Sequence, residues 1–179
     1  MKPLKESILD KDFDIDDDSL LIYVLNDAAI ADSKNNFTYE VEHSRKQKHI
    51  RIKPTRSSGA LYFDLKKLYE GLQEAGVDGV AFDYCSDLWF LLVDKKSVFK
   101  KLVFKKFTIR CAAQNTYFCD ESGYNGIFEF ENCNIESVNR VIAQECILSL
   151  KKKSTLRCST TGAFDGSIMK DGSSKIITL

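Results

Sequence analysis

The chain has 179 residues, 44% hydrophobic and 29% charged, enough to bury a core without disulfide or metal support, and this composition excludes wholesale disorder. Twenty-six basic side chains balance 26 acidic ones, so no net field draws the molecule toward nucleic acid or a membrane surface.

Residues 1–19 read as an acidic N-terminal extension in which Glu6, Asp10, Asp12, Asp14, Asp16, Asp17 and Asp18 outweigh Lys2, Lys5 and Lys11. It holds no apolar centre of the kind a signal peptide needs. The longest apolar runs, 20–25 and 88–93, are too short to cross a bilayer. A cytoplasmic protein without membrane contact is the expectation, with its six cysteines reduced. Asp12, Asp14 and Asp16 imitate the opening of a calcium loop. Asp17 stands where that loop needs Gly and Tyr23 where it needs Glu, so a solvated segment is the better reading.

From Leu20, the residues Leu21, Val24, Leu25 and Ala28 share one helical face, capped by Ser19 or an aspartate before it. Residues 32–36 form a turn. Phe37, Tyr39 and Val41, then Ile50 and Ile52, alternate with polar residues, predicting a hairpin around a polar link at 43–49. Residues 54–59 break it. Leu65, Leu68, Tyr69, Leu72 and Ala75 recur at helical spacing after Asp64, and Gly76 supplies the stop. Together 20–79 make an α+β capping region.

After Gly79 the chain turns strand-like, with short apolar segments at 80–82, 88–93, 98–109, 127–130 and 147–150. One helical stretch, Glu136 to Glu145, is expected among them. Trp89, surrounded by Leu88, Leu91, Leu92 and Val93, is expected in the core. Segments beginning at Val80, Leu102, Phe128 and Leu148 share an apolar-x-apolar pattern, at intervals of 22, 26 and 20 residues. Those intervals suit a leucine-rich repeat of roughly 20–29 residues. Cys85, Cys111, Cys133 and Cys158 recur at similar spacing. The fold class is therefore α+β and β-rich, with 80–179 a repeat-like region and 20–179 one globular unit. Two architectures fit: an N-terminal helix and hairpin capping an irregular leucine-rich-repeat-like β-solenoid, or an ordinary α+β open sheet.

Two segments, Leu4 to Ile15 (LKESILDKDFDI) and Phe128 to Ile135 (FEFENCNI), resemble short leucine-rich-repeat-like proteins of bacteriophages and gut bacteria. What that resemblance implies is a binding or structural role without known chemistry, in a phage-encoded protein.

Candidate contacts come from two basic stretches. Arg45, Lys46, Lys48, Arg51, Lys53 and Arg56 lie across the hairpin with no acid between Arg45 and Arg56. Lysine pairs recur at Lys95-Lys96, Lys100-Lys101 and Lys105-Lys106, interleaved with Phe99, Phe104 and Phe107. Such a pattern can grip phosphates and stack bases. It equally serves to solubilise turns and blunt strand edges. No Cys-x-x-Cys pair occurs, and His43 and His49 are the only histidines, so neither a metal nor a cofactor is expected. Nothing selects one cysteine as a nucleophile for either histidine. The leading expectation is a non-enzymatic protein-protein interaction or structural protein; the alternative is a nucleic-acid-binding protein using 45–56 and 95–106.

Overall fold

The computed structural model describes residues 17–44, 47–93, 100–121, 123 and 126–179. The acidic segment 1–16, Arg45, Lys46, Lys95, Lys96 and Phe99 lie outside these residues.

Helix α1 (Asp17–Ala28) buries Leu21, Val24, Leu25 and Ala28, the face its spacing predicts. Strands β1 (Phe37–Ser44) and β2 (Gln47–Pro54) pair antiparallel from Phe37↔Pro54 to Ser44↔Gln47. The pairing therefore runs deeper into the polar link than the apolar alternation alone indicates. Strand β3 (Ala60–Asp64) leads straight into helix α2 (Leu65–Glu74), whose first turn is capped by Asp64 accepting from the Lys67 amide at 3.1 Å. The two helices meet at Gly71, where a Cβ would lie 2.6 Å from Val24 Cγ1.

Everything after α2 is strand and turn. The strands are β4 (Gly79–Phe82), β5 (Asp87–Leu92), β6 (Lys101–Lys105), β7 (Thr108–Cys111), β8 (Asn115–Asp120), β9 (Gly126–Glu131) and β10 (Asn134–Ser137). They continue as β11 (Arg140–Gln144), β12 (Cys146–Lys151), β13 (Thr155–Cys158), β14 (Thr160–Phe164), β15 (Ser167–Lys170) and β16 (Lys175–Thr178). They fall into three sheets: sheet I, β1-β2-β4-β7-β10-β13-β16; sheet II, β14-β11-β8-β5-β3; and sheet III, β15-β12-β9-β6. Apart from β1 with β2, every strand pairing is parallel. The molecule is thus α+β and dominated by strands.

Register corrects three expectations. Leu102, Phe128 and Leu148 do form one inward ladder, in sheet III. Val80 does not join it: it belongs to the sheet I ladder Ile50, Val80, Ile109, Ile135, Leu156 and Ile176. An apolar-x-apolar pattern marks a half-buried strand without saying which sheet receives it. The cysteines likewise divide. Cys111 pairs with Ser137 and Cys158 with Thr178 in sheet I, Cys85 follows β4, and Cys133 sits in the turn between β9 and β10. The stretch Glu136 to Glu145 is no helix; β10 and β11 occupy it, broken at 138–139. Ile135 and Ser137 are buried with period two, and of the buried run 141–143 Val141 and Ala143 join the main core.

The turns between sheets III and I repeat a backbone device. Lys106, Asn132 and Lys152 all take the left-handed conformation, at φ 51°, 52° and 51°. The Lys106 amide donates to Glu131 O and the Asn132 amide to Lys151 O, so each turn rests on the next. The links between sheets II and III differ in length: 93–100, 121–125, the single residue 145, and 165–166.

Phenylalanines join the inner faces of the sheets. Contacts run Phe63–Phe82–Phe90–Phe118 with centroids 5.4, 5.4 and 5.2 Å apart. From Phe118 they continue through Phe130 at 5.8 Å to Phe104 at 4.8 Å. These rings are among the largest fully buried side chains. No described helix is long and apolar enough to cross a membrane.

Candidate interaction surface

The outward face of sheet II is ordered in columns, because parallel in-register pairing places one residue of each strand beside its counterpart. One column is Tyr62, Trp89, Tyr117, Ile142 and Gly162. In β5 the residues Leu88, Phe90 and Leu92 point inward, so Trp89 points out. This corrects the expected core placement: a run of apolar neighbours hides the alternation that decides the matter.

Trp89 stacks on Tyr117 with centroids 3.9 Å apart and planes 6° from parallel, and Tyr62 lies beyond it at 6.0 Å and 16°. All three rings are partly exposed. At 3.9 Å, Trp89 and Tyr117 turn faces on one another. Ile142 continues the column, buried beneath its neighbours, and Gly162 lets the Arg140 guanidinium pack against it, with Nη2 3.0 Å from where a Cβ would stand.

A polar column, Asp87, Asn115 and Arg140, runs beside the rings. Asn115 Nδ2 donates to Asp87 Oδ1 at 3.0 Å. Partial burial, then Asp87, push the Tyr117 phenol up, while Arg140 opposes them. On the other side Leu91 and Cys119 form a buried apolar border, outside the main core. The face therefore grades from polar through aromatic to apolar across three columns.

Four of the candidate basic residues, Arg51, Lys53, Lys101 and Lys105, are matched by acids. Arg51 Nε lies 2.7 Å from Asp83 Oδ1, and its Nη1 lies 3.4 Å from Glu42. Hydrogen bonding to Asp83 raises its pKa further. Lys53 meets Glu40 at 2.5 Å, Lys101 meets Glu129 at 2.9 Å, and Lys105 lies 3.7 Å from Glu131. Glu131 also takes Lys152 at 2.9 Å, and that contact holds its carboxyl below the usual range. Lys48 lies on β2, Arg56 is exposed in the turn after it, and Lys106 holds a left-handed turn. Lys100 is buried. The structure thus places the two stretches on different sheets, β2 in sheet I and β6 in sheet III, instead of on one surface. The acids that neutralise them are distant in sequence, and so was the signal.

All six cysteines are free and buried. Burial pushes the Cys85, Cys119 and Cys133 thiols up to about 11, and Cys111 and Cys146 up to about 12. Cys133 and Cys146 donate to the carbonyls of Phe104 and Phe118 at 3.3 and 3.1 Å. His43 is exposed on β1, and His49 Nε2 is buried with no hydrogen-bond partner among the described residues. No group of three or more His, Cys, Asp or Glu side chains among the described residues is placed to hold a metal ion. Comparison of the chain with protein-family models, curated proteins and solved structures found no match.

Proposed function

We propose that this chain is a non-enzymatic protein-interaction module, a β-solenoid that presents the outer face of sheet II to another protein. The in-register parallel pairing of successive strands in three sheets supports the solenoid. Helices α1 and α2, with the antiparallel strand β1, act as the cap that such a stack needs at an end.

The observation that carries the function is the Tyr62–Trp89–Tyr117 column with Arg140 in the polar column beside it. Trp, Tyr and Arg are the residues that dominate binding energy at protein interfaces. Ring stacking favours a protein over a nucleic acid as the partner. Bases bind by lying on open ring faces, and here Trp89 and Tyr117 each have one face covered by the other. Their edges offer an indole N–H and a phenol O–H to acceptors on a partner's backbone. The paired cations favour the same reading, since a phosphate chain would have to displace Glu40, Asp83, Glu129 and Glu131.

Trp89 is the only tryptophan, so its emission reports on this surface alone. A photo-crosslinking side chain at position 117, used in the producing cell, should trap one defined protein, while the same group at Val103 on sheet III should not. With that partner purified, Trp89 emission should shift on binding. Tyr117→Ala and Tyr62→Ala should each weaken binding by about tenfold or more. Equal trapping from both positions, or binding untouched by both alanine variants, would overturn the proposal.

A further inference from the structure

Sheet I carries another outward column, Arg51, Ala81, Arg110, Glu136, Arg157 and Ile177, one residue from each parallel strand. Two of its cations are matched, Arg51 by Asp83 and Glu42 and Arg110 by Glu136 at 3.6 Å. Among the described residues Arg157 has no ion-pair partner, although it neighbours Glu136 in register. Beside it opens a groove of about 330 Å³ lined by Arg110, Ala112, Glu136, Val138, Arg157 and Leu179, among others. Its wall is apolar and open to solvent: Val138 is 57% exposed and Leu179 62%. The volume lies at the lower end of the range for small-molecule sites.

We propose that this groove binds a small organic monocarboxylate, with the carboxylate on the Arg157 guanidinium and the apolar body along Ala112 and Val138. A guanidinium presents a planar pair of donors that matches a carboxylate in two parallel hydrogen bonds, and a partnerless one is free to do so. A singly charged ligand suits a guanidinium set beside Glu136 in register, because a second negative charge would face that carboxylate. The apolar wall requires a body that an inorganic anion lacks. This site is on sheet I, so it stands or falls independently of the interaction surface on sheet II.

The test is a titration of the full chain with phenylpropionate, followed by amide and arginine side-chain shifts in nitrogen-proton correlation spectra. Phenylpropionate should move the Val138 and Arg157 signals together and saturably. Phenylpropionamide, of the same shape without the charge, should bind about tenfold more weakly or worse. Arg157→Gln should weaken phenylpropionate equally, and Arg157→Lys should restore part of the loss. Phenyl phosphate, a dianion near neutral pH, should bind more weakly than the carboxylate. Equal binding of acid and amide, unchanged affinity in Arg157→Gln, or no movement of Val138 would overturn the assignment.

Discussion

Side chains with conspicuous chemistry serve in this molecule mainly as packing. Six cysteines suggest reactivity, yet each thiol is enclosed, and pKa values of about 11 to 12 leave at most about one thiolate in a thousand at pH 8 for Cys85, Cys111, Cys119, Cys133 and Cys146. Native protein treated with Ellman's reagent at pH 8 should release almost no thionitrobenzoate over an hour, and all six thiols should react in denaturant. Rapid release of one equivalent from the native state would reopen thiol chemistry. Asp171 is a different case. Its Oδ2 accepts from the Lys152 amide at 2.9 Å, and its Oδ1 accepts from the amides of Ser173 and Ser174 at 3.0 and 2.9 Å. These donors, the Lys152 amide first, hold its carboxyl well below the usual range. A carboxyl depressed in the folded state stabilises above its unfolded pKa of about 4, and that contribution fades as pH falls through the folded value. Asp171→Asn should therefore melt earlier than the parent at pH 7. Thermal melts from pH 7 to pH 2 should show the gap closing below about pH 4.

At the scale of elements, the turns say more about the architecture than the strands do. Lys106 pays for the left-handed conformation, which costs a residue with a Cβ roughly 1–2 kcal/mol. Lys106→Gly should be near neutral, within about 0.5 kcal/mol, because relief of the turn offsets the greater freedom of the unfolded glycine. Lys106→Val should lose about 1–2 kcal/mol or more, as β-branching makes the same φ worse. Urea unfolding of the pair measures both. Both helices were legible in the sequence because each carries its own periodicity and, for α2, its own cap in Asp64. The hairpin was legible from Phe37 to Ile52 for the same reason. Strands β8, β13 and β16 were not singled out, since Thr116, Arg157 and Lys175 dilute their apolar residues. The paired ladder partners that bury Thr116 or Ile135 come from other parts of the chain. The stacking surface was missed altogether, because Tyr62, Trp89 and Tyr117 are 27 and 28 residues apart and only register unites them.

Across the whole molecule, the phenylalanine contacts tie the inner walls of sheets I, II and III into one core. Phe118 sits at the junction, touching Phe90 at 5.2 Å, Phe128 at 5.7 Å and Phe130 at 5.8 Å. Its in-register neighbour Ala143 is too small to fill a void there. Phe118→Ala should cost about 3–5 kcal/mol, seen as a lower denaturation midpoint in a single transition that fluorescence and circular dichroism report together. Separate transitions for the helical end and the strands would contradict one shared core. The links between sheets II and III, which range in length from 93–100 to the single residue 145, bear on how such a molecule tolerates change. Length was added there without disturbing the alignment of Leu102 with Phe128 and Leu148. A few serines spliced after Glu121 should thus be carried as a harmless bulge on the flank, whereas the same insert after Asn132 would throw every later rung out of step.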